Sequence, residues 1–266
     1  MCYKNGMDRP DIVVEYREKT DSRVVPGPKK KEALLTRILV IVPAFNEEDT
    51  IRGVIHEIRR CLPEADVLVV NDGSTDSTSE ISRKEGVLVL DHPYNMGIGA
   101  TMQTGFVYAL TNGYDITVQI DGDGQHNAET LPRIIRPILR GEANLVIGSR
   151  YLSDGGFKST PLRKLGIKFF AVLLLLFTGK RITDSTSGFR AIDRKALELF
   201  SREYPSDYPE VEALVLAYKN GLIYEEIPTE MRKRQGGTSS IGITSALYYM
   251  VKVTLSVTIG VFRRVV

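Results

Sequence analysis

Two aspartates one residue apart, Asp121 and Asp123, end the stretch ITVQIDGDGQH, which runs from Ile116 to His126. The stretch opens as an apolar, β-branched run of the kind that forms a strand. Gly122 and Gly124 then permit a tight turn. A strand entering that turn delivers both carboxylates to its carboxyl edge, where ligands bind in an open α/β sheet. With the amide oxygen of Gln125 they make a hard oxygen set suited to Mg²⁺ or Mn²⁺. The same residues also make an ordinary solvated Asp-Gly turn, so the surrounding chain must decide. His126 offers a choice of its own: a metal ligand, or a hydrogen bond behind the ligands or a cap on the next helix. His56, on the polar side of a helix, and His92, in a loop, suggest no chemistry.

The elements that position this turn follow from periodicity. ILVIVP, after Arg37, is a short continuous apolar run and reads as a buried parallel strand. Ile51, Val54, Ile55, Ile58 and Leu62 then recur at helical spacing on one face. DVLVVND is a second strand ending at Asn71 and Asp72, and Ser77 with Glu80 has capping-box spacing for the helix after it. VLVLDH is a third strand, and the glycine-rich NMGIGA opens a helix through Leu110. After ITVQID, residues Leu131, Ile134, Ile135 and Ile138 mark a helix bent at Pro137, and NLVIGSR is a fifth strand. This alternation predicts an α/β fold, a mostly parallel sheet with helices on both faces.

Beyond Arg150 the pattern changes. Residues 153–161 read as loop, and Leu162 to Phe177 as a helix stopped by Gly179. That helix ends in nine uninterrupted apolar residues, FFAVLLLLF, where a bilayer span needs about 20. Its basic start (Arg163, Lys164, Lys168) suits a helix lying on a membrane surface; a buried core helix is the alternative. TDSTSGFRAI follows, then helices over Arg194 to Phe200 and Glu210 to Asn220, an edge strand in LIYEEIP, and the basic loop RKRQGGTSS. Ile243 to Phe262 holds a single charge, Lys252. Its residues alternate as in a strand, yet a lone terminal strand this apolar would leave a hazardous edge. An amphipathic or re-entrant membrane helix is therefore expected over 242–266. Residues 1–36 read as a charged tail before a catalytic domain at 37–241.

Composition excludes little but sets bounds. The chain has 266 residues, 42% hydrophobic and 26% charged, with net charge +2, which fits one sizeable globular core. The two cysteines rule out a disulfide framework or a four-cysteine zinc site and suit a reducing cytoplasm. The amino terminus shows no signal-peptide pattern. The basic cluster at 232–234 has no interleaved aromatics, so no nucleic-acid partner is expected.

PAFNEE (Pro43 to Glu48), NDGST (Asn71 to Thr75), NMGIGA (Asn95 to Ala100) and DGDGQH (Asp121 to His126) all fall where strands leave the sheet. In combination they resemble the family 2 inverting glycosyltransferases of GT-A fold, in particular the dolichyl-phosphate mannose synthase and polyprenyl-phosphate glycosyltransferase branch, over about Arg37 to Ile241. The resemblance implies that Asp123 and Gln125, with Asp121 beside them, approach a divalent metal. It implies nucleotide-sugar contacts from Pro43, Phe45, Glu47, Asp72, Gly122 and Arg150, with Phe45 replacing the family's usual tyrosine, so that stacking survives and a hydroxyl contact is lost. It also implies phosphate binding by Arg163 and by Arg234 and Ser239 of RQGGTSS, where Ser240 stands in place of the usual lysine. SGFR (Ser187 to Arg190) would shape the acceptor side.

The expected reaction moves a sugar from a nucleoside-diphosphate sugar to a polyprenyl phosphate at the cytoplasmic membrane face. A lipid phosphate is already ionised near neutral pH, its second pKa being about 6, and needs no dedicated base. A hydroxyl acceptor would need one, for which Asp184, Glu210 and Glu212 are the candidates. A sugar nucleotidyltransferase, or a non-catalytic nucleotide-sugar-binding protein, remain as further alternatives. The sequence assigns no oligomeric state.

Overall fold

The computed structural model describes residues 36–152, 161–206, 209–232, and 252, 254 and 255. The apolar runs form strands where expected: β1 (Ile38–Ala44), β2 (Asp66–Asn71), β3 (Leu88–Asp91), β4 (Ile116–Gln119), β5 (Leu145–Ser149) and the edge strand β7 (Tyr224–Pro228). A further strand, β6 (Arg190–Asp193), arises from RAID, which carries too short a pattern to stand out from the loop before it. The sheet order is β3-β2-β1-β4-β6-β5-β7. All pairings are parallel except those of β6, which runs antiparallel between β4 and β5. The SGFR segment therefore feeds the middle of the sheet, with Arg190 opposite Gln119.

Helices α1 (Ile51–Cys61), α2 (Thr78–Lys84), α3 (Ile98–Thr111), α4 (Leu131–Ile134), α5 (Arg136–Leu139), α6 (Pro161–Thr178), α7 (Arg194–Arg202) and α8 (Pro209–Lys219) complete the fold. Alternate residues of β1 divide between two cores, because strand side chains alternate faces. Leu39 and Ile41 join Met102, Phe170, Phe200 and Leu214, whereas Val40 and Val42 join Ile51, Ile55, Leu131 and Ile134. Pro137 splits its segment into the two short helices α4 and α5, since a proline inside a helix lacks the N–H and crowds the preceding turn.

Two expectations change. Ser77 makes no side-chain cap on α2; Asp76 does so from one residue earlier, Oδ1 accepting from Thr78 N at 3.0 Å. The greasy helix α6 is neither wholly core nor wholly surface. Ile167, Phe170 and Leu174 are buried, while Phe169, Val172, Leu175 and Leu176 are exposed, Leu176 at 77%. No helix among the described residues is long and apolar enough to cross a membrane. Within the expected terminal membrane helix only Lys252, Thr254 and Leu255 are described, as helical. The remainder of 242–266, the tail to residue 35 and most of the 153–161 loop lie outside the described residues.

Candidate active site

The carboxyl ends of β1, β2 and β4 converge on one edge. The loop after β1 is laced to the loop after β2 by side chains that cap backbone N–H groups. Asn46 N donates to Ser74 Oγ at 2.9 Å, Thr75 N to Asn46 Oδ1 at 2.9 Å, and Glu47 N to Thr78 Oγ1 at 2.8 Å. Asn46 has φ +55°, a left-handed conformation that Asn tolerates better than most residues. Beside it Phe45 is 44% exposed, an aromatic face open at the ligand edge. Thr50 Oγ1 bonds both Glu47 Oε2 (3.1 Å) and Gly122 O (2.7 Å), joining this loop to the DGDG turn.

Asp72, expected to contact the nucleoside, is buried and spends both oxygens on its own chain. Oδ1 accepts from Met96 N (2.8 Å) and faces His92 Nδ1 (2.8 Å), and Oδ2 accepts from Gly97 N (2.9 Å). His92 Nε2 continues to Thr104 Oγ1 at 2.9 Å. His92 thus has a role that its place in a loop gave no sign of: with Asp72 it folds the 92–97 segment against β2. Gly73, φ +70°, is needed there, for a Cβ would meet Tyr94 C at 2.4 Å.

The DGDG turn lies against β1, with Gly122 N donating to Pro43 O at 3.2 Å. A Cβ on Gly122 would stand 3.2 Å from that same oxygen. Asp123 Oδ1 accepts from Gln125 N at 3.0 Å, and Gln125 Nε2 reaches Arg232 O at 3.4 Å. That leaves the amide oxygen of Gln125 as the atom to offer a cation. Asp121 is held on both sides: Oδ1 by Gln119 Nε2 (3.2 Å) and Oδ2 by His126 Nε2 (3.0 Å). Burial pushes the Asp121 carboxyl up, but His126, Gln119 and the charge of Arg150 more than reverse this and hold it below the ordinary carboxylate range. His126 is the hydrogen-bond donor behind Asp121; the cap on the next turn (Ala128–Thr130) comes from Asn127 Oδ1, 3.1 Å from Glu129 N.

No group of three or more His, Cys, Asp or Glu side chains that could cage a metal occurs among the described residues. Two carboxylates and an amide nevertheless fit Mg²⁺ or Mn²⁺ that arrives with a diphosphate, because such cations take one or two carboxylates and fill the remaining positions with phosphate oxygens and water.

Arg150 does not stand open for phosphate. Its Nε and Nη2 grip Asp184 Oδ2 and Oδ1 at 2.6 Å each, its backbone N adds a 3.0 Å bond to Oδ2, and Nη2 also reaches Thr186 Oγ1 at 2.8 Å. Asp184, fully buried, is the counter-ion of Arg150. Glu210, on the first turn of α8, is in the field of Asp121 and Arg150. Burial raises its pKa, partly offset by Arg190. Glu212 lies two residues further along the same first turn. Arg190 Nη2 donates to Glu210 O (2.8 Å) and Ser185 O (3.1 Å), and Nε to Ser187 O (2.8 Å), so the SGFR arginine fastens α8 to this side of the cleft. Arg163 sits in the first turn of α6. Arg234 and Ser239 lie outside the described residues. The described chain before them ends beside the site, where Arg232 N donates to Gln125 O at 2.7 Å and Met231 bridges His126.

A mostly parallel α/β sheet with helices on both faces and an Asp-Gly-Asp turn at its carboxyl edge is a GT-A-like architecture. The model of Glycosyl transferase family 2 matches residues 39–200, and the chain belongs to that family. Among its relatives is the UDP-N-acetylglucosamine–dolichyl-phosphate N-acetylglucosaminyltransferase of Methanococcus voltae, 33% identical over 77% of this chain and 91% of that one. The polyprenol monophosphomannose synthase of Mycolicibacterium smegmatis is 31% identical over 82% and 85%. Glucosyl-3-phosphoglycerate synthase from Mycobacterium tuberculosis, in complex with Mn²⁺, UDP and glucosyl-3-phosphoglycerate, superimposes with a TM-score of 0.66 over 85% of this chain and 80% of its own, at 22% identity. That likeness establishes the fold.

Proposed function

We propose that this glycosyltransferase moves a sugar from a nucleoside-diphosphate sugar to a polyprenyl phosphate at the cytoplasmic face of the membrane, with inversion at the anomeric carbon. The observation that carries the lipid acceptor is α6, whose inner face is packed in the core while Phe169, Val172, Leu175 and Leu176 remain exposed on the same helix. Such a half-buried helix with a basic start is suited to an interface. The names of the relatives above support the same acceptor class.

In this reading Phe45 stacks on the base, Pro43, Glu47 and the Gly122 turn line the nucleotide, and Asp121, Asp123 and Gln125 face the diphosphate. A divalent cation bound there offsets the charge of the departing diphosphate. The acceptor phosphate oxygen forms the new bond to the anomeric carbon as the sugar–diphosphate bond breaks, and its electron pair leaves with the diphosphate. A single displacement of this kind inverts the centre. Holding both partners in line is the chain's main contribution.

A second reading is favoured by Glu210 alone. A carboxyl whose pKa is raised by burial foremost, and by the charge of Asp121, is what a hydroxyl acceptor needs in a base. One experiment separates the two. The protein is given labelled nucleotide sugars, Mg²⁺ or Mn²⁺, and polyprenyl phosphate in detergent. Label entering the organic phase, and lost with EDTA and in Asp123→Ala, is the expected result. Donor turnover only with hydroxyl acceptors would replace it by the Glu210 reading, and donor bound but never consumed would defeat both.

A further inference from the structure

His126 is 4% exposed, and the way it is built in gives it a function beyond packing. Its Nε2 lies 3.0 Å from Asp121 Oδ2, and since a carboxylate oxygen only accepts, Nε2 carries the proton. Nδ1 is buried with no hydrogen-bond partner among the described residues, so among them the bond to Asp121 is the ring's one polar anchor. The ring lies stacked on Phe189, centroids 5.2 Å apart and planes at 28°. Phe189 in turn occupies the space left by Gly148, where a Cβ would meet Phe189 Cδ1 at 2.5 Å. A fully buried aromatic resting on a glycine thus sets the plane of the histidine, and the histidine sets one oxygen of Asp121. Gln119 Nε2 fixes the other.

We propose that His126 is a positioning residue for Asp121, holding its carboxylate, through a ring clamped on Phe189, in the orientation the cation–diphosphate group requires. The proposal rests on the reading of the DGDG turn as the diphosphate site, whichever acceptor is used. Leaving a ligand's supporting hydrogen bond out typically costs about 10–100-fold in metal affinity or activity.

Three variants test it. His126→Phe keeps the ring stack and removes the donor, His126→Gln returns an N–H near the position of Nε2, and His126→Asn has its amide near Nδ1 and falls short of Asp121. The half-saturating Mn²⁺ concentration for donor turnover, and calorimetric binding of UDP and GDP with Mn²⁺, are measured on the full chain alongside the urea midpoint. His126→Phe should raise the half-saturating Mn²⁺ by about 10–100-fold with its urea midpoint little changed, and His126→Gln should stay close to wild type. His126→Gln as impaired as His126→Phe, or His126→Phe indistinguishable from wild type, overturns the proposal. If His126→Phe does not fold, His126→Asn takes its place against His126→Gln. Donor turnover in the wild type that ignores both Mn²⁺ and EDTA defeats the metal reading instead, and the same order among the variants in nucleotide affinity then decides for or against His126.

Discussion

Arg150 and Asp184 meet as a fork on a carboxylate, with Nε to Oδ2 and Nη2 to Oδ1 both 2.6 Å and both side chains almost wholly buried. Burial alone would lower the Arg150 pKa; the hydrogen bonds and charge of Asp184 reverse that and raise it. Each group makes the burial of the other tolerable. Glu226 completes the arrangement, accepting from Thr183 N at 2.7 Å and Asp184 N at 2.8 Å. The pair ties the end of β5 to the segment before β6.

Asp184→Asn should therefore act on stability first. Removing one partner of a buried ion pair leaves the other charge unpaired and costs about 3–5 kcal/mol. Urea unfolding should show a large fall in midpoint with an unchanged slope. A variant of wild-type stability that has lost turnover would make Asp184 catalytic and this account wrong.

Glu210 should behave in the opposite way. Its folded pKa is raised, by burial foremost, so the stability it contributes is fully present below its unfolded pKa and is lost as pH rises through the folded one. Glu210→Gln abolishes that loss and should be neutral or stabilising at pH 7, while removing the corresponding pH slope. With polyprenyl phosphate as acceptor, transfer should survive the substitution. A drop of about 10²–10⁴-fold, the worth of a general base, would show that the carboxyl takes a proton from the acceptor.

The central frame was legible because buried parallel strands leave continuous apolar runs, and because glycines and carboxylates cluster where such strands end. β1, β2, β4 and the DGDG turn follow from those two signals. β6 did not, since its four residues follow a polar turn and its partners in the sheet are remote in sequence. Asp72 and Arg150 were legible as polar residues at the site but not as groups already engaged by their own chain. Their partners, His92 and Asp184, lie 20 and 34 positions away, and only the closed fold brings them within bonding distance. His126 was legible as a hydrogen bond behind the aspartates; that its ring rests on Phe189 was not.

At the other end of β2, Tyr114 Oη donates to Asp66 Oδ2 at 2.7 Å. Burial, together with this carboxylate, pushes the tyrosine pKa up to about 12. The folded value exceeds the ordinary value of 10. The stability gained is thus complete below pH 10 and lost as pH rises through 12. Tyr114→Phe should lower the thermal midpoint at neutral pH yet weaken its alkaline decline between those limits, read by circular dichroism against pH. An alkaline decline identical in wild type and variant would assign the titration to another group.

The outer face of α6 gives the last prediction, because it separates membrane attachment from the chemistry. Val172 and Leu176 are 56% and 77% exposed, while Phe170 and Leu174 on the inner face are fully buried. Replacing Val172 and Leu176 by Ser removes apolar surface that the folded chain does not use. The fold should keep its urea midpoint, and binding of UDP or GDP with Mn²⁺ should be unchanged. Burial of apolar side chains in lipid is worth about 25 cal/mol per Å², so two such side chains should weaken co-sedimentation with vesicles by at least tenfold, and transfer to vesicle-borne polyprenyl phosphate should fall with it. Adding a short-chain, water-soluble polyprenyl phosphate should restore turnover, since the site itself is intact. If vesicle binding is unaltered, the outer face of α6 is not the membrane contact; if nucleotide binding falls as well, that face supports the site rather than the lipid.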